Sequence, residues 1–353
     1  MPELEQKHPL VSARNSEMFG PTVHRMSNRR KILPSRLRWA NVVNKYQKYL
    51  MVYDIAKNII KKPLHLMGLD LVRRRHSGPD PAPSRALPPI REHPVTALYQ
   101  DAPDARCTFS CPLDRCVTVY GWNYGSSGWH PFVETLLEYR ANKRRTYRGS
   151  FLELYYHAWT PQSAGDVVLA KHIAPSTLEA YSPQAFVVPW DTNDIETERQ
   201  RADTYMQREN EQAGYPDVGP EEGYNHFGPV SSAKGHIEYN RLSAVYTSID
   251  QNGYQRGLDW DGDIRGWLLR RGSEYRFLLR SGFHRLAAAA ALGYSTIPAR
   301  IVHPVLVDPS NVHHWPQVQR GVWSCEHAVA YFNYLFDFNS RAWARKNELL
   351  FNT

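Results

Sequence analysis

Apolar residues recur at helical spacing over residues 42–60. Val42, Tyr46, Tyr49, Tyr53, Ala56 and Ile60 form one stripe, with Lys45, Lys48 and Lys57 between them. The pattern predicts a basic amphipathic helix that Pro63 ends. A second apolar stretch, residues 64–71, then runs into Arg73, Arg74 and Arg75. An apolar face with positive flanks fits two roles: packing on the body of the protein, or lying on an anionic membrane surface. Ahead of this segment, residues 1–34 lack sustained periodicity and are rich in polar and basic residues, which predicts a mobile basic arm. After it, Pro79, Pro81, Pro83, Pro88, Pro89 and Pro94 predict a stiff linker over residues 78–94. The chain thus begins with an arm (1–34), a basic amphipathic segment (35–77) and a linker.

Beyond the linker the pattern changes. Residues 117–122 read as a strand, and residues 132–140 and 151–157 as helices with apolar residues on one side. Trp122, Trp129, His130 and Trp159 are read as core filling in preference to a sugar-stacking surface. Lys143, Arg144 and Arg145, between the two helices, have the composition of a solvated basic turn, with a phosphate or acidic glycan as the rival reading. Residues 191–222 are dominated by Asp, Glu, Asn and Gln and predict a polar helix and loop ending at Gly219 and Pro220. A mainly helical middle region, 95–222, therefore precedes a segment of mixed pattern. In that segment a helix is predicted over 239–251, strands over 264–269 and 275–279 across a turn at 270–274, and a helix over 286–292. Residues 305–319 read as irregular. Ser324 then caps a last helix whose buried stripe is Ala328, Tyr331, Phe332, Leu335 and Phe336. The whole predicts an α+β protein with its strands chiefly at 223–305 and a C-terminal helical extension at 306–353.

Charge sharpens this division. Of 43 Lys/Arg and 35 Asp/Glu, residues 1–80 hold 16 and 6, leaving a nearly neutral 27 and 29 for the rest. The formal net charge of +8 thus belongs to the N-terminal segment and is not the footprint of a nucleic-acid-binding body. No stretch approaches the roughly twenty apolar residues that span a bilayer, and the N-terminus lacks a secretory signal pattern. A cytoplasmic protein is expected, with the amphipathic segment allowing peripheral contact with the inner face of the membrane. The four cysteines are too few for a disulfide scaffold. Cys107, Cys111 and Cys116 have three and four intervening residues, unlike a paired zinc motif, and although His130 is near in sequence, ordinary reduced cysteines are expected.

The candidate chemistry lies in residues 281–300. Ser281, Gly282, Phe283, His284 and Arg285 follow a strand end and open an alanine-rich run, after which come Gly293, Tyr294, Ile297, Pro298, Ala299 and Arg300. Gly282 permits a tight turn, and the helix that starts there offers unpaired N–H groups and the positive end of its dipole. With two basic side chains added, a phosphate is the natural guest. Upstream, Glu238, Tyr239, Asn240, Arg241 and Leu242 lead into Ser248 and Ile249, then Gly253 and Tyr254.

These two blocks, in this order, resemble the ParB/sulfiredoxin-like nucleotide-binding superfamily over about residues 226–305, which implies that family's small mixed sheet with helices for the domain at 223–305. The resemblance implies a nucleotide, ATP or CTP with Mg2+. Its members include CTP-binding partition proteins, sulfiredoxins that use ATP to repair oxidised cysteine, and kinases of free serine. Phe283 stands where sulfiredoxin chemistry needs cysteine. The short remainder after Ile301 shows no basic recognition helix of the partition kind. Ser281 stands where the serine kinases carry aspartate, so the chain is nearest to the kinase-like members but departs from them there. Alternating Asp259, Asp261 and Asp263 offer a replacement carboxylate, though an exposed glycine-containing turn explains them equally.

The resemblance assigns Glu238 as catalytic base or metal ligand. Ser281, Gly282, His284 and Arg285 then hold the nucleotide, and Arg241, one turn from Glu238, faces the same pocket or pairs with it. A nucleotide-dependent phosphotransferase is expected, acting on a small molecule or a glycan such as those of cell-envelope polysaccharide assembly. The alternative is a non-catalytic ATP- or CTP-binding switch controlling a protein or nucleic-acid partner. Nothing in the sequence specifies the oligomeric state.

Overall fold

The computed structural model describes residues 87, 89–100, 107–142, 145–170, 172–257, 263–303 and 306–350. The expected arm, the amphipathic segment, most of the linker, Lys143 and Arg144, and Asp259 and Asp261 lie outside the described residues. The chain divides after Pro83, and residues 84–353 make one compact unit. Its helices and five-stranded mixed sheet belong to the α+β class.

The sheet forms around a hairpin. Strands β3 (Ile264–Arg271) and β4 (Glu274–Ser281) pair antiparallel across a turn at Gly272, whose φ of 59° suits glycine. Ile264 and Leu268 of β3, with Phe277 and Leu279 of β4, face one core; Trp267, Leu269 and Leu278 face the other. This is the period of two that places alternate residues on opposite faces. From β4 the chain enters helix α6 (Phe283–Ala291) and returns as β5 (Thr296–Ile301), parallel to β3. Tyr294 N–H donates to Ala289 O and Gly293 N–H to Ala290 O, and Gly293 has φ 87°, so glycine ends α6 in a Schellman arrangement.

Two edge strands come from the region expected to be mainly helical. Strand β1 (Thr108–Pro112) pairs antiparallel with β5, and the two-residue β2 (Cys116–Val117) pairs parallel with β4, so the order is β1-β5-β3-β4-β2. Strand β2 is shorter than the run 117–122 predicts, because Thr118 N–H donates to Trp122 O and a turn closes at Gly121 (φ 87°). Cys111 and Cys116 sit on opposite edges of the sheet, yet their Sγ atoms are 3.5 Å apart. The sheet therefore curls until its edges approach one another.

Helices cover both faces. On one side lie α2 (Pro131–Arg140), α5 (Ser232–Asn252) and α6, whose Leu286 and alanines 287–289 are fully buried. On the other, α8 (Cys325–Asp337) packs Ala328, Tyr331, Phe332 and Leu335 with Trp190, Trp315 and Trp323. Ser324 Oγ accepts from His327 N–H, the cap the sequence predicts. The remaining helices are α1 (Pro94–Gln100), α3 (Phe151–Ala158), α4 (Ile195–Gln212), α7 (Pro316–Gln319) and α9 (Ser340–Lys346). Trp122, Trp129 and Trp159 are buried in mutual contact, as core filling requires. Among the described residues no helix is long and apolar enough to cross a membrane.

Helix α5 begins two turns earlier than the apolar pattern indicates. Ser231 caps it, and Gly235 lets it lie against the buried Tyr147, whose ring a Cβ at position 235 would overlap. Gly235→Ala is accordingly expected to cost about 1–3 kcal/mol in urea unfolding, the usual penalty of overpacking.

Candidate functional site

The extra two turns of α5 position the charges of the site. Lys234, Glu238 and Arg241 fall on one face at helical spacing. Lys234 and Glu238 are completely buried, and Lys234 Nζ lies 2.6 Å from Glu238 Oε1 and 2.8 Å from Asn210 Oδ1 of α4. Asn210 in turn donates to Val218 O, which fixes its orientation. Arg241 Nη1 is 3.2 Å from the same Glu238 oxygen and also bonds Glu209 of α4. Burial alone would push the Glu238 carboxyl up. His284, Lys234 and Arg241 outweigh it and hold the group well below the usual carboxylate range.

The other Glu238 oxygen faces α6. Oε2 is 3.2 Å from His284 Nε2, close enough for an ion pair but not aligned as a hydrogen bond. His284 is the second residue of α6 and stacks on Phe132 of α2, with centroids 5.0 Å apart and planes at 23°. His226 lies beside the same phenyl ring at 6.1 Å and meets Phe283 edge-on at 4.5 Å. His130, the cap of α2, accepts the Phe132 N–H at Nδ1 and stacks on Tyr124. Burial and the neighbouring His284 push the His226 imidazole down to about 3, and burial with His226 and His284 pushes His130 well below its ordinary value. The result is a buried carboxylate and lysine beside an imidazole-rich aromatic wall.

The turn itself is built as the sequence predicts. Gly282 has φ 94° and packs on Ile264, leaving little room for a side chain. The first amide to donate into the helix is that of Leu286, to Gly282 O, so the amides of residues 283–285 have no acceptor within the helix. Ser281 Oγ accepts from Arg265 Nε at 3.0 Å. Arg285 lies near Tyr254, whose hydroxyl is pushed up first by burial and against the pull of that guanidinium. Asp263 is buried and paired bidentately with Arg256 at 2.9 Å, so this member of the aspartate cluster is already committed.

The candidate residues thus fall into two adjoining sets. Ser281, Gly282 and Arg285 form the turn, while Glu238 and Arg241 are joined to it through His284. No family model, curated protein or solved structure matches the chain. Among the described residues no group of three or more His, Cys, Asp or Glu side chains is arranged to hold a metal ion. At Glu238, Lys234 and Arg241 already supply positive charge to Oε1, and Oε2 faces His284 without a hydrogen bond. The burial of Glu238 also denies it the direct contact with a substrate that a base requires.

Sequence reasoning passed over Lys234, Asn210 and His226, and read His130 as core filling and not as part of this site. Lys234 carried a signal, four residues before Glu238 on the same helix face. The others carried none, since three separate segments bring them together.

Proposed function

We propose that the protein is a nucleotide-dependent phosphotransferase of ParB/sulfiredoxin-like fold, with the turn from β4 into α6 as its phosphate cradle. The observation that carries the reading is the buried contact between Glu238 and His284 at the start of that helix. Helix-terminal amides and Arg285 suit the phosphates of ATP or CTP, with Mg2+ arriving as the nucleotide's counter-ion. Glu238 acts as a positioning group. With the His284 proton on Nε2 toward the carboxylate, Nδ1 is left as the acceptor that can take a proton from a hydroxyl. The acceptor is a small molecule or a glycan, and a cytoplasmic setting beside an anionic membrane rests on residues 35–77.

Thermal shift of the full chain with ATP and with CTP, each with magnesium, tests the cradle. A rise in Tm that Arg285→Ala lowers, with affinity falling about 10–100-fold, is expected from the loss of one charge-assisted contact. No stabilisation by either nucleotide removes the reading. Turnover with candidate acceptors then separates a transferase from a nucleotide-controlled switch, which the enclosure of Glu238 favours as the second reading. Binding without turnover would select the switch.

A further inference from the structure

A second reactive group lies on the opposite face of the sheet, away from the Glu238 site. Cys325 opens α8, and its Sγ is 3.2 Å from His313 Nδ1. His313 belongs to a six-residue 3-10 segment, Pro309–His314, kinked at Asn311, whose start is fixed by Asp308 accepting from Ser310 N–H. The intervening loop is anchored. Gln317 N–H donates to Pro189 O, the amides of Val322 and Trp323 donate back to Gln317 O, and the indoles of Trp315 and Trp323 are buried. The two side chains are therefore held in contact by rigid flanks, while His313 is exposed and Cys325 is partly so.

The surroundings suit sulfur chemistry. Cys325 lies in the first turn of a 13-residue helix, where the dipole favours negative charge. Of its titratable neighbours on that turn, His327 has Nδ1 3.2 Å from Ser324 Oγ, and Glu326 is exposed; His314 follows His313 and is also exposed. Cys107 is partly exposed too, whereas the other two thiols differ. Cys111 and Cys116 are fully buried and both donate to Pro112 O, and burial followed by Cys116 pushes the Cys111 thiol well up. Those two are structural.

We infer that Cys325 and His313 form a thiol–imidazole pair that exchanges with small-molecule disulfides, making Cys325 a site of reversible mixed-disulfide modification. With the imidazole proton on Nε2, Nδ1 takes the proton from the Cys325 S–H. The thiolate attacks one sulfur of R–S–S–R, its S–S bond breaks, and Cys325–S–S–R forms. The departing RS⁻ receives the proton from His313 and leaves as RSH. Cys325 is oxidised and one half of the small disulfide is reduced, so no other oxidant is needed. Attack on a disulfide needs no oxyanion pocket, and the pair shows none.

The test uses the full chain, reduced and freed of reductant, with 4,4′-dithiodipyridine and then glutathione disulfide as probes, and peptide mapping of the labelled cysteine. Cys325 is expected to react first, at least about tenfold faster than Cys107, Cys111 or Cys116, with Cys325→Ser removing the fast phase. His313→Asn should slow that phase about tenfold or more at pH 7, and the gap should close by about pH 9.5, where thiols ionise unaided. His314→Asn should leave it unchanged. Labelling of Cys107 in the fast phase would overturn the proposal. So would an undiminished rate in a His313→Asn protein whose circular dichroism and Tm match the parent.

Discussion

Lys234→Met is expected to lower folding stability by about 3–5 kcal/mol, the usual cost of removing one partner from a buried ion pair. Glu238 has no solvent exposure, and Lys234 Nζ is its nearest cation at 2.6 Å. The substitution leaves the carboxylate with Arg241 and the unaligned His284, and it strips Asn210 Oδ1 of its donor. Glu238→Gln alone should cost a similar amount, since it strands the ammonium. The double variant Lys234→Met/Glu238→Gln should lose well under the sum, because neither charge is then left unpaired. Urea unfolding at pH 7.5 measures all three. A loss below about 1 kcal/mol in Lys234→Met would mean that water reaches the carboxylate and that the Lys234–Asn210 bond does not help hold α4 against α5.

The acid limb offers an independent check. Glu238 has a folded pKa below its ordinary value of 4.5, so the stability it confers is complete above that value and is lost as pH falls further. Removing Lys234 raises the folded pKa, shrinking that contribution. The stability of Lys234→Met should therefore fall less steeply than that of the parent below about pH 4.5.

The parts of this fold that could be read in the sequence are those where local pattern and tertiary role agree. The β3–β4 hairpin shows its alternation because both faces of the sheet are covered, and Gly272 marks its turn. Gly282 and Gly293 bracket α6 because each has positive φ, a demand the sequence answers with the one residue that meets it easily. The stripe of α8 was equally visible. Strand β1 was hidden: its Thr-Phe-Ser-Cys-Pro run ends in proline and takes its partners from β5, almost two hundred residues away. The early turns of α5 were hidden for another reason. Lys234 reads as a surface residue, and only the Asn210 and Glu238 side chains converging on it make its burial tolerable. The candidate site divides the same way. Its turn is contiguous and legible, whereas its imidazoles come from residues 130, 226 and 284 and share no spacing.

His226 and His130 should make the protein lose stability as pH falls from 7.5 to 5, by about 2 kcal/mol or more. His226 is pushed down to about 3 from an ordinary 6.5 by burial and the neighbouring His284, against the pull of Glu238, with Lys234 adding. His130 is pushed down by burial, His226 and His284. His226 stays neutral in the folded protein at pH 5 and His130 resists protonation in the same direction, while the unfolded chain takes up a proton on each below about 6.5. The unfolded state therefore binds more protons across this window, and stability falls as pH falls, by about 2 kcal/mol for a fully shielded ring. Partial exposure of His226 lowers its share below that of a fully shielded ring. Glu238 adds little here, since its contribution is lost only below about 4.5. His226→Phe preserves a ring against Phe132 and Phe283, and His130→Asn preserves an acceptor for the Phe132 N–H. The double variant should lose less than about 1 kcal/mol over the same interval in urea titrations at the two pH values. Equal losses in parent and variant would place the acid sensitivity elsewhere and show that water solvates these rings inside the folded protein.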